Sequence, residues 1–141
     1  MVKSDPPATR AKDFLPEHLK VEWETVEPGL ARAAFTVEPL HMAPNGFLHA
    51  GSVVTLADSA SGFGCVASLP EGAASFTTIE LKANFLGTAR AGERVACEAR
   101  LVHGGRTTQV WDAKARNATT GKTIALFRCT QMILYPGGPD A

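Results

Sequence analysis

Downstream of residue 75 the chain alternates between apolar and polar side chains. The run TTIELKANFLG puts Ile79, Leu81, Ala83 and Phe85 on one side and Thr78, Glu80, Lys82 and Asn84 on the other. RVACEARLV alternates likewise through Val95, Cys97, Ala99 and Leu101, and LARAAFTVEP does so earlier through Ala31, Ala33, Phe35 and Val37. Successive side chains of a strand point to opposite faces, so these patterns predict half-buried antiparallel strands. TTQVWDAKARNA and KTIALFRCTQMILY complete the set. HGGR (103–106) and NATTGK (117–122) carry turn chemistry between them, which predicts a meander of the last three strands.

A single segment reads as a long helix, from Gly51 to about Ser68. Gly62 and Gly64 weaken it by about 1 kcal/mol each relative to Ala, a cost a helix bears where something packs closely against it. One helix after early strands and before a strand meander predicts an α+β architecture, the helix lying against one sheet face.

Composition narrows the partners. The 141 residues suit one domain spanning 1–141, with an ordered core from about 14 to 135 between a polar, proline-bearing start and a PGGPDA tail. Fourteen basic and fourteen acidic side chains cancel, which removes the electrostatic footprint of a general nucleic-acid binder. Cys65, Cys97 and Cys129 are odd in number, widely spaced and without a CxxC pair, so neither a disulfide framework nor a metal site is expected. No apolar run reaches the ~18–20 residues of a membrane helix, and the N-terminus lacks a signal-like apolar stretch. A cytoplasmic protein is the resulting expectation.

The chemistry concentrates in HAGSVVTLADSA, residues 49 to 60. Asp58 interrupts an otherwise apolar helix, on a small and mostly polar stripe with Gly51, Thr55 and Gly62, and no Lys, Arg or Glu occurs between Phe47 and Pro70. Such a stripe suits a cleft or another helix better than open water. At the helix start the first backbone N–H groups lack internal partners and carry the positive end of the dipole. Small residues there, Ala50 and Gly51, admit a ligand oxygen, which is the equipment of an oxyanion hole. A nearby carboxylate serves as nucleophile or general base, so ester or thioester hydrolysis is the indicated chemistry. Two helical turns separate Gly51 from Asp58, roughly 10 Å at 1.5 Å per residue, whereas reacting groups must meet within about 3–3.5 Å. Two antiparallel copies resolve this distance, so a homodimer with two shared sites is expected.

NGFLHAGSVVTLADSASG resembles the G-x-x-H-G-G-x-x-x-x-L-x-D/E signature of hotdog-fold acyl-CoA thioesterases, in particular the PaaI-like phenylacetyl-CoA and 4-hydroxybenzoyl-CoA type. The similarity extends through GGRTTQVWDAKARNATTGKTIA and covers roughly residues 28 to 134. It implies a hotdog fold, one long helix wrapped by an antiparallel sheet, in a homodimer that in some cases pairs further into a tetramer. It implies Asp58 as the acidic catalyst, the Ala50 amide as oxyanion donor, His49 as a brace of that loop, and Thr78 as a hydroxyl close to the site. Asn45, Gly46 and Phe47 would border the substrate, and Gly105, Arg106 and Thr107 would lie near the nucleotide end of coenzyme A, where exposed amides and a guanidinium suit phosphate. Coenzyme A is part of the substrate here, and no separate cofactor is implied.

Two positions depart from the family pattern. Ala50 replaces the second glycine, keeping the amide but adding a Cβ that makes positive φ costly. Ala43 stands where relatives carry Asn or Gln, six residues before the histidine; His41 and Asn45 are the nearby polar substitutes. These departures keep open an alternative, a hotdog protein that binds an acyl thioester or other small ligand without turning it over. A dehydratase of the same fold is the weakest option, because no paired His and Asp/Glu motif is present. His103 reads as a solvent-facing turn residue, and Trp23 and Trp111 as core or interface.

Overall fold

A computed structural model describes residues 14–137. The polar, proline-bearing start and all but the first two residues of the PGGPDA tail fall outside those residues. The element order is α1 (Leu15–His18), β1 (Glu22–Glu27), β2 (Leu30–Thr36), a 3-10 turn (Pro39–His41), α2 (Ala50–Ala67), β3 (Ser75–Phe85), β4 (Arg94–Gly104), β5 (Thr108–Asn117) and β6 (Thr123–Leu134). The strands form one antiparallel sheet in the order β1-β2-β4-β5-β6-β3, an α+β hotdog arrangement around α2. The expected meander is β4-β5-β6. β3 departs from sequential order: it crosses past the meander and pairs with β6 at the far edge.

Small side chains let the sheet curve closely around the helix. Ala31, Ala99, Ala113 and Phe127 form one row across β2, β4, β5 and β6, and Ala33, Cys97, Ala115 and Ala125 form the next. All are buried, together with Val53, Leu56, Ala57 and Ala60 of α2. The helix glycines are packing sites rather than defects. A Cβ on Gly64 would sit 2.6 Å from the Trp111 ring, and one on Gly62 would sit 3.0 Å from Phe76 Cζ. Trp111 is fully buried, as core. Trp23 is half-buried and meets Phe63 edge-on, with 4.3 Å between centroids.

The sequence pattern does not reveal β1. Its run EWETVE has few apolar residues, and a register shift between Trp23 and Thr25 breaks the alternation. A second irregularity corrects the reading of β3. The pairing slips between Thr78 and Glu80, so one period-two pattern does not run through the strand. Thr78 pairs with inward-facing Gln131, while Leu81, Ala83 and Phe85 pair with inward-facing Cys129, Phe127 and Ala125. Thr78 therefore shares the helix-facing side with Leu81, Ala83 and Phe85, not the opposite side. A bulge inserts one residue and reverses the phase beyond it.

The two sheet edges differ. β1 is short and carries Glu22 and Glu24, both paired with Arg94, as edges protected from further pairing do. β3 runs for 11 residues with its outer edge bare, and Ile79, Leu81 and Phe85 remain 52%, 42% and 45% exposed.

Candidate active site

The start of α2 is built by a buried histidine. His41 is fully buried, its ring stacked on Phe35 at 4.1 Å. Its Nδ1 accepts from the Glu38 N–H at 2.9 Å, so its Nε2 carries the proton and donates to the Leu19 carbonyl at 2.6 Å. Both nitrogens are committed, which corrects the reading of His41 as a substitute for the polar residue missing at Ala43. The His41 carbonyl accepts from His49 N–H and from Ser52 Oγ, tying the loop to the first turn of the helix.

His49 is the N-cap of α2, and its Nδ1 accepts the Gly51 N–H at 2.8 Å. This fits the expected bracing role and divides the two amides. Gly51 N–H is occupied, while Ala50 N–H has no acceptor among the described residues and lies on an exposed stretch. The added methyl costs no backbone strain, since Lys20 is the only non-glycine residue with positive φ among the described residues. Asn45, Gly46 and Phe47 form a tight loop before the helix. Asn45 Oδ1 accepts the Phe47 N–H at 3.2 Å, Gly46 adopts φ +87°, and Phe47 is 60% exposed.

Asp58 lies two turns along α2 and is half-buried. Burial pushes its carboxyl above the usual carboxylate value of 3.8, and the Thr78 hydroxyl oxygen lies 3.5 Å from its Oδ1. Asp58 opens onto an apolar groove of about 180 Å³ bordered by Pro16, Ser59, Gly62, Phe63, Val66 and Phe76. A larger hollow of about 460 Å³ lies on the outer sheet face among Lys82, Arg100, Lys114 and Arg128, remote from the helix. Its acids Glu98 and Asp112 are already ion-paired with arginines. Among the described residues, no three His, Cys, Asp or Glu side chains cluster as metal ligands would. The three cysteines are free and buried.

One chain does not assemble every expected residue at one place. Gly62 against Phe76, and Ser68 against Gln109, put the Asp58 half of α2 at one end of the sheet. Leu48 N–H, bonded to Thr88 Oγ1, puts the helix start at the other. The turn Gly105–Arg106–Thr107 lies at the Asp58 end. Thr107 O accepts from Ile133 N–H, two residues beyond Gln131, and Arg106 O accepts from the Tyr135 hydroxyl. The Arg106 side chain is exposed and makes no ion pair among the described residues.

The sequence profile of the thioesterase superfamily matches residues 45–124, from the Asn-Gly loop through the β5–β6 turn. The chain belongs to the thioesterase superfamily. It is 34% identical over 116 residues to a 1,4-dihydroxy-2-naphthoyl-CoA hydrolase from Listeria monocytogenes, covering 82% of this chain and 92% of that one. It is 29% identical to acyl-coenzyme A thioesterase PaaI of Escherichia coli, covering 82% and 79%. A solved structure of a mutant of thioesterase PA1618 from Pseudomonas aeruginosa superposes with a TM-score of 0.84 at 29% identity, covering 95% and 96%.

As a thioester hydrolase, the protein holds one acid beside a groove and one free helix-terminal amide, and the thioesterase motif brackets both. Two further residues of this thioesterase escaped the sequence reading. Phe76 forms a wall of the groove. Gln131 is fully buried and accepts the Thr78 hydroxyl at 2.7 Å. The signal for Gln131 was present, because it is the polar member of the inward row Ala125, Phe127, Cys129, Gln131, Ile133 on β6.

Proposed function

We propose that this thioesterase hydrolyses an acyl- or aryl-CoA thioester at two sites shared across a homodimer. Asp58 of one protomer faces the partner's Ala50 amide. The observation that carries the reading is the separation, within one chain, of a half-buried carboxylate from the free amide at the helix start. The bare, apolar β3 edge supports the dimer, because exposed strands of that kind recruit another strand. Antiparallel pairing of two β3 strands about a twofold axis brings the Asp58 end of one sheet beside the helix start of the other. The CoA-hydrolase and CoA-thioesterase activities of the two relatives support the substrate class, and the aromatic groove beside Asp58 favours an apolar or aryl acyl group.

In the proposed reaction, Asp58 acts as general base. Water loses a proton to its carboxylate as the oxygen attacks the thioester carbonyl. The carbonyl π electrons move onto oxygen, where the partner's Ala50 N–H donates to the developing oxyanion. The intermediate collapses with cleavage of the C–S bond, and the Asp58 proton passes to the departing thiolate, giving a carboxylic acid and coenzyme A. The Gly105 N–H is held by the Thr108 carbonyl, so the exposed Arg106 guanidinium of this turn would be the group to meet the phosphates of coenzyme A.

Proline at the first helical position removes the N–H without breaking the helix, and His49 already has the extended backbone a following proline requires, φ −68° and ψ 130°. Ala50→Pro therefore deletes the proposed oxyanion donor alone. Each of A50P and D58N should lose at least a hundredfold in kcat toward a panel of aryl- and fatty-acyl-CoAs. Refolding the two variants together should restore about a quarter of wild-type activity, since half the dimers are mixed and each holds one intact site. Two inactive variants that stay inactive when mixed would overturn the shared site.

A further inference from the structure

We infer that Gln131 dictates the direction of the Thr78 hydroxyl, turning Thr78 into an acceptor for the attacking water. Gln131 is thus a positioning residue of the hydrolytic site. This rests on Asp58 being the base and goes beyond it. Gln131 sits on β6 directly opposite Thr78 and is fully buried. Its Oε1 lies 2.7 Å from Thr78 Oγ1, while Asp58 Oδ1 lies 3.5 Å from the same oxygen. A hydroxyl has one proton, and the shorter partner takes it. Gln131 Nε2 meanwhile points at Cys129 Sγ, 3.5 Å away. Neighbouring Gln109 offers nothing to this cluster, since its amide is used by Trp111 Nε1 and the Ser68 carbonyl.

The consequence is chemical. Thr78 turns only lone pairs toward the space beside Asp58. A water there donates one hydrogen to Asp58 and the other to Thr78, which leaves its own lone pair for the carbonyl carbon. Asp58 also forgoes a donor that would hold its proton affinity down, so it is the stronger base. The groups around Asp58 leave this contact decisive. Its own helix bears no Lys, Arg or Glu. β6 presents Cys129, a thiol that burial pushes up to about 11 and keeps neutral. β3 presents Thr78, and α1 brings Glu17, one oxygen of which is buried without a partner, beside the groove residue Pro16. Burial is the largest influence on Asp58 itself.

The test is the pH dependence of kcat/KM for the panel thioester turned over fastest, in T78V, Q131M, the double variant and D58N. T78V should lose about tenfold in kcat while the acidic limb stays in place, because no donation to Asp58 is lost. In Q131M the freed hydroxyl turns to Asp58, and the limb should move down by about half a pH unit. The double variant should show no such movement. If T78V instead moves the limb upward, Thr78 donates to Asp58 in the native protein and the inference fails, whether or not Q131M folds. An unmoved limb in a folded Q131M overturns it equally. Full activity in D58N would instead remove the underlying assignment of the base.

Discussion

His41 and Asp58 are both polar groups carried inward by the fold, and they are treated in opposite ways. Every hydrogen-bonding position of the His41 ring is used: one nitrogen accepts, the other donates, and one face lies on Phe35. Asp58 is partly desolvated, yet among the described residues its one polar side-chain neighbour within hydrogen-bonding range is a hydroxyl 3.5 Å away that is already engaged elsewhere. A saturated buried group stabilises a single conformation and is chemically inert. A desolvated carboxylate with spare lone pairs keeps a raised proton affinity and an unfilled need for a donor, which water or substrate can satisfy. The same contrast recurs in the two adjacent amides, Gly51 held by His49 and Ala50 left free.

That contrast can be broken from either side. D58N should cost about a thousandfold in kcat with the fold intact, as loss of a general base does, read by single-turnover kinetics alongside far-UV circular dichroism. H41F should do the reverse. It keeps the stacked ring but orphans the Glu38 N–H and the Leu19 carbonyl, so denaturant unfolding should report a loss of about 2–3 kcal/mol while kcat per folded molecule changes little. G62A sharpens the picture of the groove. Its Cβ would press on Phe76 Cζ from 3.0 Å, tilting the ring into the space beside Asp58, so KM for a bulky aryl-CoA should rise about threefold with kcat preserved. The smallest effect concerns stability. Asp58 binds its proton more tightly folded than unfolded, so its stabilising contribution is full below its unfolded value of 3.8 and is lost as pH rises through the higher folded value. At neutral pH the charged form is a burden, and D58N should raise Tm by about 2 °C, with the gain vanishing in acid.

Much of the fold was legible because its determinants are short-ranged. The apolar–polar pattern marked five of the six strands through their alanines, cysteines and aromatics, and α2 begins and ends within one residue of the expected span. β1 was missed because a six-residue edge strand rich in glutamate buries little and leaves a weak pattern. The phase error in β3 has a different origin. Ile79 looks like one more apolar member of a regular alternation, and only pairing with β6 reveals that the ladder slips there. Asp58 and the helix start stood out as chemistry because a lone carboxylate and a small, polar turn are anomalous in an apolar stretch. Gln131 was overlooked although it is equally anomalous, its partner Thr78 being 53 positions away.

By itself, then, the order of residues determined one long helix, the inward rows of small side chains and the place of a lone carboxylate on that helix, because each depends on neighbours within a few turns or a single strand. Tertiary structure alone decided that β3 closes the far edge, that His41 is scaffold, that Ala50 rather than Gly51 retains a free amide, and that Thr78 faces Gln131 and Asp58 together. Those outcomes depend on which distant group reaches a given proton or lone pair first. A hydrogen bond is settled by a few tenths of an ångström, which only the packed chain defines.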